Sequence, residues 1–325
     1  MKSTEVFDIR LMVTGGLGFI GSNFINYWLK NHPDDYILNV DKCTYAADFS
    51  NIDKRLVSKN YEFVKEDICN ADRMISLTKG LDIIVNFAAE SHVDNSINNA
   101  STFIQSNYHG VYSLLEASRI NDVRVHQVST DEVFGSLTSD GNESFNEHTC
   151  YNPKNPYSAT KAAADHLVRA YVNTYGLKAT ISNCSNNFGP NQHDEKLIPK
   201  TISLALREKK IPIYGTGKNI RDWIYVEDHC SGIEAVLSRG RLGESYLIGA
   251  RNERTNLEVV EIILEHLKAS KNLIEFVGDR KGHDYRYSID PSKIERELEW
   301  KAKYPFEKAI LLTINYYRNK LIQST

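Results

Sequence analysis

Short apolar runs of β type alternate along the first half of the chain with stretches whose apolar residues recur at helical spacing. Ile9 to Thr14 predicts a strand running directly into glycines, and Phe19 to Leu29 predicts the helix that follows. Further runs at Tyr36 to Val40, Tyr61 to Val64 and Asp82 to Phe87 end at Asp41, Asp67 and Ala88-Ala89. A fifth, Arg124 to Ser129, delivers Thr130-Asp131-Glu132; a helix from about Ser158 to Tyr175 then precedes a sixth strand, Ala179 to Ser182. Such alternation predicts an α/β fold with a doubly wound parallel sheet, whose ligands gather at the carboxyl ends of the strands. Beyond Asn187 the pattern loosens, with short β segments at Ile211 to Tyr214 and Ser245 to Gly249 among helical stretches. Residues 1–187 are therefore expected to form a dinucleotide-binding domain. Residues 188–325 would form mainly a smaller substrate-binding lobe, with some segments returning to the first domain.

Composition narrows the classes. The hydrophobic and charged fractions, 41% and 25%, are ordinary for a globular protein, and a formal charge of -3 provides no field for nucleic acid or an anionic membrane. Cys43, Cys69, Cys150, Cys184 and Cys230 are odd in number and lack C-x-x-C spacing, which argues against a disulfide framework and a zinc site. His92, His193 and His283 also lack metal-site spacing, so no metal is expected. No apolar run is long enough to span a bilayer and the N-terminus shows no signal core, so a cytoplasmic protein is expected.

Gly15-Gly16-Leu17-Gly18-Phe19-Ile20-Gly21 lies between the first strand and its helix. Glycines there permit a tight turn and let the backbone approach a pyrophosphate, which the helix N-terminus receives with unpaired N–H groups. A glycine pattern alone is equally well an ordinary turn. Asp41, 20 residues after Gly21 at the end of the second strand, favours the dinucleotide reading, since a carboxylate there can hold a ribose diol. It would repel a 2′-phosphate, which favours NAD, while adjacent Lys42 keeps NADP open.

Tyr157 and Lys161 are four residues apart on the same helical face, where an ammonium favours the phenolate. This spacing also arises by chance on exposed helices, but here it follows a fifth strand ending in hydroxyl residues. Thr130 could hydrogen-bond the same reacting hydroxyl as Tyr157. Asp131 and Glu132 would ordinarily be a solvated turn. Placed between Thr130 and the Tyr-Lys helix, they can instead serve as acid and base, one protonating a leaving hydroxyl while the other removes a proton.

At these strings the chain resembles the dTDP-glucose 4,6-dehydratases, which are extended short-chain dehydrogenases on a Rossmann sheet. The resemblance runs through Thr14 to Ser22, Ala88 to Asp94, Thr130 to Gly135, Asn155 to Lys161 and Arg221 to His229. The Thr-Asp-Glu tripeptide discriminates, because sugar-nucleotide 4-epimerases keep the Tyr and Lys without the acid pair. The resemblance implies a bound NAD that is reduced and reoxidised within each turnover. Tyr157 would deprotonate the glucose O4, with Lys161 tuning it and Thr130 polarising O4; Glu132 would remove the C5 proton and Asp131 protonate the departing O6 hydroxyl. The product would be a 4-keto-6-deoxyglucose nucleotide, a precursor of rhamnose-type deoxysugars.

The same resemblance implies cofactor contacts from Gly15, Gly18, Phe19, Ile20 and Gly21, from Asp41, Lys42 and Thr44, and from Asp67 and Ile68 at the adenine. Phe87, Ala88, Ala89, Ser91, Ser106, Tyr157, Lys161 and Asn187 would complete that site. Ser106 stands where the family has Thr. Substrate contacts would come from Ser91, Thr130, Asn186, Lys196, Leu197, Pro212, Tyr214, Arg221, Asn256, Arg280 and His283, with Lys281 in place of the family's Pro. Cationic Arg221 suits a diphosphate, although an ion pair with Asp222 or Glu227 is an equally simple fate for it. The substrate would be a nucleoside-diphosphate glucose, dTDP-glucose favoured and UDP-glucose open. A 4-epimerase and a catalytically silent NAD sensor are the alternatives. A homodimer is expected, pairing through the helix around Ser113 to Ala117 and the Tyr157-Lys161 helix.

Overall fold

The computed structural model describes residues 8–138, 141–279 and 282–323, and the chain folds as two compact units. The first comprises residues 1–129, 155–182 and 236–245; the second comprises residues 130–154, 183–235 and 246–325.

In the first unit the strands are β1 (Arg10–Thr14), β2 (Tyr36–Asp41), β3 (Tyr61–Lys65), β4 (Ile83–Asn86), β5 (Arg124–Thr130) and β6 (Ala179–Cys184). They lie in the order β6-β5-β4-β1-β2-β3, and the pairings β1 with β2, β1 with β4, β2 with β3 and β4 with β5 are parallel. The α/β, parallel, doubly wound sheet anticipated from the pattern is present. Met12, Leu38, Ile84, Val125 and Ile181 bury one face among residues of the helices Ala71–Leu77, Gly110–Asn121 and Pro156–Tyr175, such as Met74, Leu114 and Val168. Their alternate neighbours Leu11, Val13, Ile37 and Val85 are just as buried, so both faces are covered, as near-continuous apolar strands require. Chain reversal leaves the carboxyl ends of β1, β2, β4 and β5 on one edge of the sheet.

The second unit holds β7 (Asn186–Phe188), β8 (Ile211–Tyr214), β9 (Ile220–Tyr225), β11 (Glu253–Thr255) and β12 (Ile274–Val277), with β10 (Ser245–Ile248) starting at the last residue of the first unit. Its sheets are β11-β9-β7, with β9 parallel to β7 and antiparallel to β11, and a parallel pair β12-β8. Phe188, Ile202, Trp223, Val259 and Ile310 form its main core.

The change of unit expected near residue 187 falls at 182/183; residues 236–245 are a later segment of the first unit, of the kind expected to return to it, whereas residues 130–154 join the second, which the sequence pattern did not suggest. Residues 130–154 belong to the second unit because Leu137 bridges to Arg286 and Phe145 to Ile289. Residues 236–245 belong to the first, where Arg124 donates to Leu237 O and Val236 O and Gly243 N donates to Ala179 O.

Candidate active site

The glycine loop is built for close approach. Gly15 has φ +67°, and a Cβ there would sit 2.7 Å from Ala88 N; a Cβ on Gly21 would sit 2.3 Å from Gly15 O. The helix Phe19–Asn31 starts at an extended Gly18 that offers no side-chain cap, which leaves the first-turn N–H groups of Phe19 and Ile20 for an anion. Asp41 has a second task the sequence did not reveal. Its two carboxylate oxygens accept from Leu17 N at 3.0 Å and Cys43 N at 2.8 Å, tying the glycine loop to the end of β2. Each oxygen keeps a further lone pair for a ribose hydroxyl. Lys42 is engaged in an ion pair with Asp67 Oδ2 at 2.7 Å, while Asp67 Oδ1 accepts from Cys69 N and Ile68 is buried. A lysine held there is directed away from the role of 2′-phosphate ligand. These residues fit NAD.

Along the same unit, Thr14 Oγ1 donates to Asn86 Oδ1 and accepts from Ala88 N, which joins β1 to the start of the loop containing Phe87, Ala88, Ala89 and Ser91. Thr44, Ala89 and Ser91 are exposed. Ser106 lies within a π-helical turn, Ile104–His109, whose Asn107 is almost fully buried. Asn107 Oδ1 accepts from Glu90 N at 2.8 Å, while its Nδ2 donates to Glu90 O and to Thr160 Oγ1, both at 3.0 Å. One amide thus secures the loop, the π turn and the Tyr-Lys helix together.

That helix, Pro156–Tyr175, begins with Asn155 and Ser158 in a reciprocal capping box and Pro156 in its first turn. Tyr157 is buried one residue later, edge-on to Phe103 with centroids 6.3 Å apart. The positive end of the helix dipole there favours a phenolate. Lys161, 5% exposed, donates from Nζ to Val128 O at 2.7 Å, and one turn on Asp165 accepts from Ser129 Oγ at 2.6 Å. Two successive residues of β5 therefore hold the face of the helix that carries Lys161 and Asp165.

In the second unit, Thr130 caps a 3-10 turn, Asp131–Phe134, so that both acids stand in its first turn. Thr130 Oγ1 accepts from Glu132 N and donates to Asp131 Oδ1, each at 3.3 Å, and Thr130 O accepts from Asn183 Nδ2 at 3.1 Å. Asp131 is 2% exposed and its Oδ2 has no hydrogen-bond partner among the described residues. Burial first, then the charges of Glu132 and Asp222, hold its carboxyl well above the usual range against Arg221 and Thr130. A carboxyl whose affinity for its proton is raised, beside a second carboxyl, is an arrangement suited to general acid and base catalysis.

Arg221 departs from the simple ion pair. Nη1 donates to Ile220 O at 2.7 Å and Tyr285 O at 3.2 Å, and Nη2 donates to Asp284 O at 2.9 Å. Asp222 instead accepts from Asn252 N and Ala250 N, and burial pushes its pKa up to about 6. Asn187 Oδ1 accepts from His229 Nδ1 at 3.0 Å, and Asn187 Nδ2 donates to Ser185 O. His229, which sequence reasoning gave no role, must therefore carry its proton on Nδ1. Burial lowers its pKa to about 3 and keeps it neutral.

The remaining expected substrate residues lie in the second unit, apart from exposed Ser91. Asn186 Oδ1 is buried, Lys196 pairs with Glu195 at 3.8 Å, and Leu197 packs on the core. Pro212 and Tyr214 lie on β8; Tyr214 meets the His283 ring edge-on at 6.4 Å, and His283 Nδ1 bonds Asp279 Oδ1 at 2.7 Å. Asn256 N donates to Asn219 O. Arg280, like Lys281, lies outside the described residues. Among the described residues no cluster suits a metal and no helix is long and apolar enough to cross a membrane.

Comparison with known proteins places the chain in a family. The family model for GDP-mannose 4,6 dehydratase matches residues 12–313. A dTDP-glucose 4,6-dehydratase of Mycobacterium tuberculosis is 46% identical over 96% of this chain and 94% of its own length. The crystal structure of a dTDP-glucose 4,6-dehydratase from Streptomyces venezuelae, with NAD and TYD bound, superimposes with a TM-score of 0.94 at 43% identity, covering 97% of this chain and 98% of that one. A UDP-glucose 4-epimerase of Thermus thermophilus shares the fold, with a TM-score of 0.86, but only 24% identity over 95% of this chain and 99% of that one. With the acid pair of Asp131 and Glu132 in place and this degree of identity, the chain belongs to the dTDP-glucose 4,6-dehydratase family.

Proposed function

We propose that this chain converts dTDP-glucose to the 4-keto-6-deoxyglucose nucleotide with NAD as a resident cofactor. The observation that carries the reading is Asp131, buried beside Glu132 behind the Thr130 cap with its carboxyl held well above the usual range, in a chain that also keeps Tyr157 and Lys161. Bound NAD, held by the glycine loop, Asp41 and the Asn187 end, supplies a hydride acceptor and later a hydride donor. Tyr157, in the first turn of its helix with Lys161 one turn on, takes the proton of the sugar 4-hydroxyl. Oxidation at C4 makes the C5 proton removable by Glu132, and Asp131 passes its proton to the departing O6. Thr130 orients the acid pair and the reacting hydroxyl. Arg221, Lys196, Asn256, Tyr214 and His283 hold the nucleotide, with Arg221 on its diphosphate.

The protein is proposed to work in the cytoplasm as a homodimer. Its first unit exposes Ile97, Ile104, Tyr112, Ile120 and Tyr175, an apolar set on successive helices of the kind that marks an interface. Ser113, Leu114, Leu115 and Ala117, expected at that contact, are buried in the unit's own core. The helix pairs through Tyr112 and Ile120 instead.

The activity is tested by incubating the NAD-loaded enzyme with dTDP-glucose in deuterated water. A 4-keto-6-deoxy product carrying deuterium at C5 is expected. A galactose nucleotide retaining its 6-hydroxyl would support an epimerase, and unchanged sugar a cofactor sensor. UDP-glucose in parallel should be used less well, by roughly tenfold in kcat/KM, since the bases differ by one methyl.

A further inference from the structure

Arg221 does not stand alone in the second unit. Of its five N–H groups, three donate to the carbonyls of Ile220, Asp284 and Tyr285. Those carbonyls are themselves fixed: Ile220 O accepts from Tyr287 N at 3.1 Å and Tyr285 O accepts from Ile220 N at 2.8 Å, so residues 285–287 run alongside the start of β9. The Cζ of the guanidinium lies over the Tyr287 ring, 4.3 Å from the centroid. Tyr287 is 4% exposed, and its hydroxyl donates to Asp284 Oδ2 at 2.5 Å, closing the ring of contacts on the residue whose carbonyl holds Nη2. Burial and then the charge of Glu132 hold that hydroxyl well above its usual range, so it remains a neutral donor.

We propose that Tyr287 and Asp284 are positioning residues for the substrate: they set the plane of Arg221 so that its remaining N–H groups, on Nε and Nη2, meet the diphosphate without further ordering. The inference rests on the reading that Arg221 takes the diphosphate. A long side chain ordered before the ligand arrives costs less on binding than one that must be immobilised, and a ring beneath a desolvated guanidinium adds to its retention. Three carbonyl dipoles and a π face thus help to balance a buried cation that, among the described residues, makes no carboxylate ion pair.

Tyr287→Leu removes ring and hydroxyl, Tyr287→Phe the hydroxyl alone. In the NAD-loaded enzyme, Tyr287→Leu should raise both the Kd for dTDP and the KM for dTDP-glucose about tenfold, with kcat changed less than about threefold; Tyr287→Phe should raise them about two- to threefold, because the ring is kept. Both losses should disappear in an Arg221→Lys background, since a primary ammonium does not use the planar cage. Unchanged dTDP affinity in Tyr287→Leu, or equal losses with and without Arg221, overturns the positioning role. Should Tyr287→Leu lose its NAD or its cooperative melt, Tyr287→Phe and its coupling to Arg221 decide the question in the same way. A wild-type enzyme that neither converts dTDP-glucose nor binds dTDP overturns the substrate reading instead.

Discussion

Asp131 shows how a side chain acquires its chemistry from what surrounds it. An exposed aspartate is ionised at neutral pH, but this one is buried next to Glu132 and near Asp222, and each influence penalises its charge. Its role as proton donor therefore belongs to pH values below its raised pKa and is lost as pH rises through it. Asp131→Asn keeps the shape and removes the proton, and should lower kcat by about 10²-fold or more with NAD still bound. The alkaline limb that Asp131 places on the wild-type kcat profile should vanish in the variant; a limb that persists would assign it to another group. At this scale the tripeptide was legible because acids between a strand end and a Tyr-x-x-x-Lys helix are unusual. The cage around Arg221 was not, since main-chain carbonyls carry no residue identity and Tyr287 lies 66 positions along the chain. His229 was likewise hidden: its function is a tautomer, set by Asn187.

At the scale of elements, the strands of the first unit were legible to within a residue or two because buried parallel strands are apolar runs, whereas β7, β9, β11 and β12 of the second, short or mixed in polarity, were not. The π turn Ile104–His109 was not, because its extra residue has no periodic signature; it exists where Asn107 turns inward to three partners. Asn107→Ala would leave Glu90 N, Glu90 O and Thr160 Oγ1 short of a partner in a buried place. A loss of about 2–4 kcal/mol of stability is expected, read from denaturant or thermal unfolding of the apo and NAD-loaded forms. Activity should fall with it, through displacement of the Tyr157 helix. A variant as stable as the wild type would show that water replaces the amide there.

For the molecule as a whole, self-association is the property with the plainest readout. Sedimentation at working concentration should give a dimer, and Tyr112→Glu with Ile120→Glu should give monomers by placing charge in the apolar set. A wild-type monomer, or a double variant that remains dimeric, would move the interface elsewhere. The sheet and its cofactor loop were readable because they are local in sequence. The allocation of residues 130–154 was not, because it is decided by bridges such as Leu137 to Arg286 and Phe145 to Ile289, between partners with no pattern in common.

That allocation bears on how the protein is made. The chain passes between its two units at 129/130, 154/155, 182/183, 235/236 and 245/246, so the first unit cannot be finished until residue 245 has left the ribosome. Between residues 184 and 236 the nascent protein carries β6 without residues 236–245, and until residue 285 it carries the Thr130 turn without the residue 285–289 segment that receives its loop. The bridges that seat the loop after the acid pair therefore close only late in translation, after every residue of the first unit has been made.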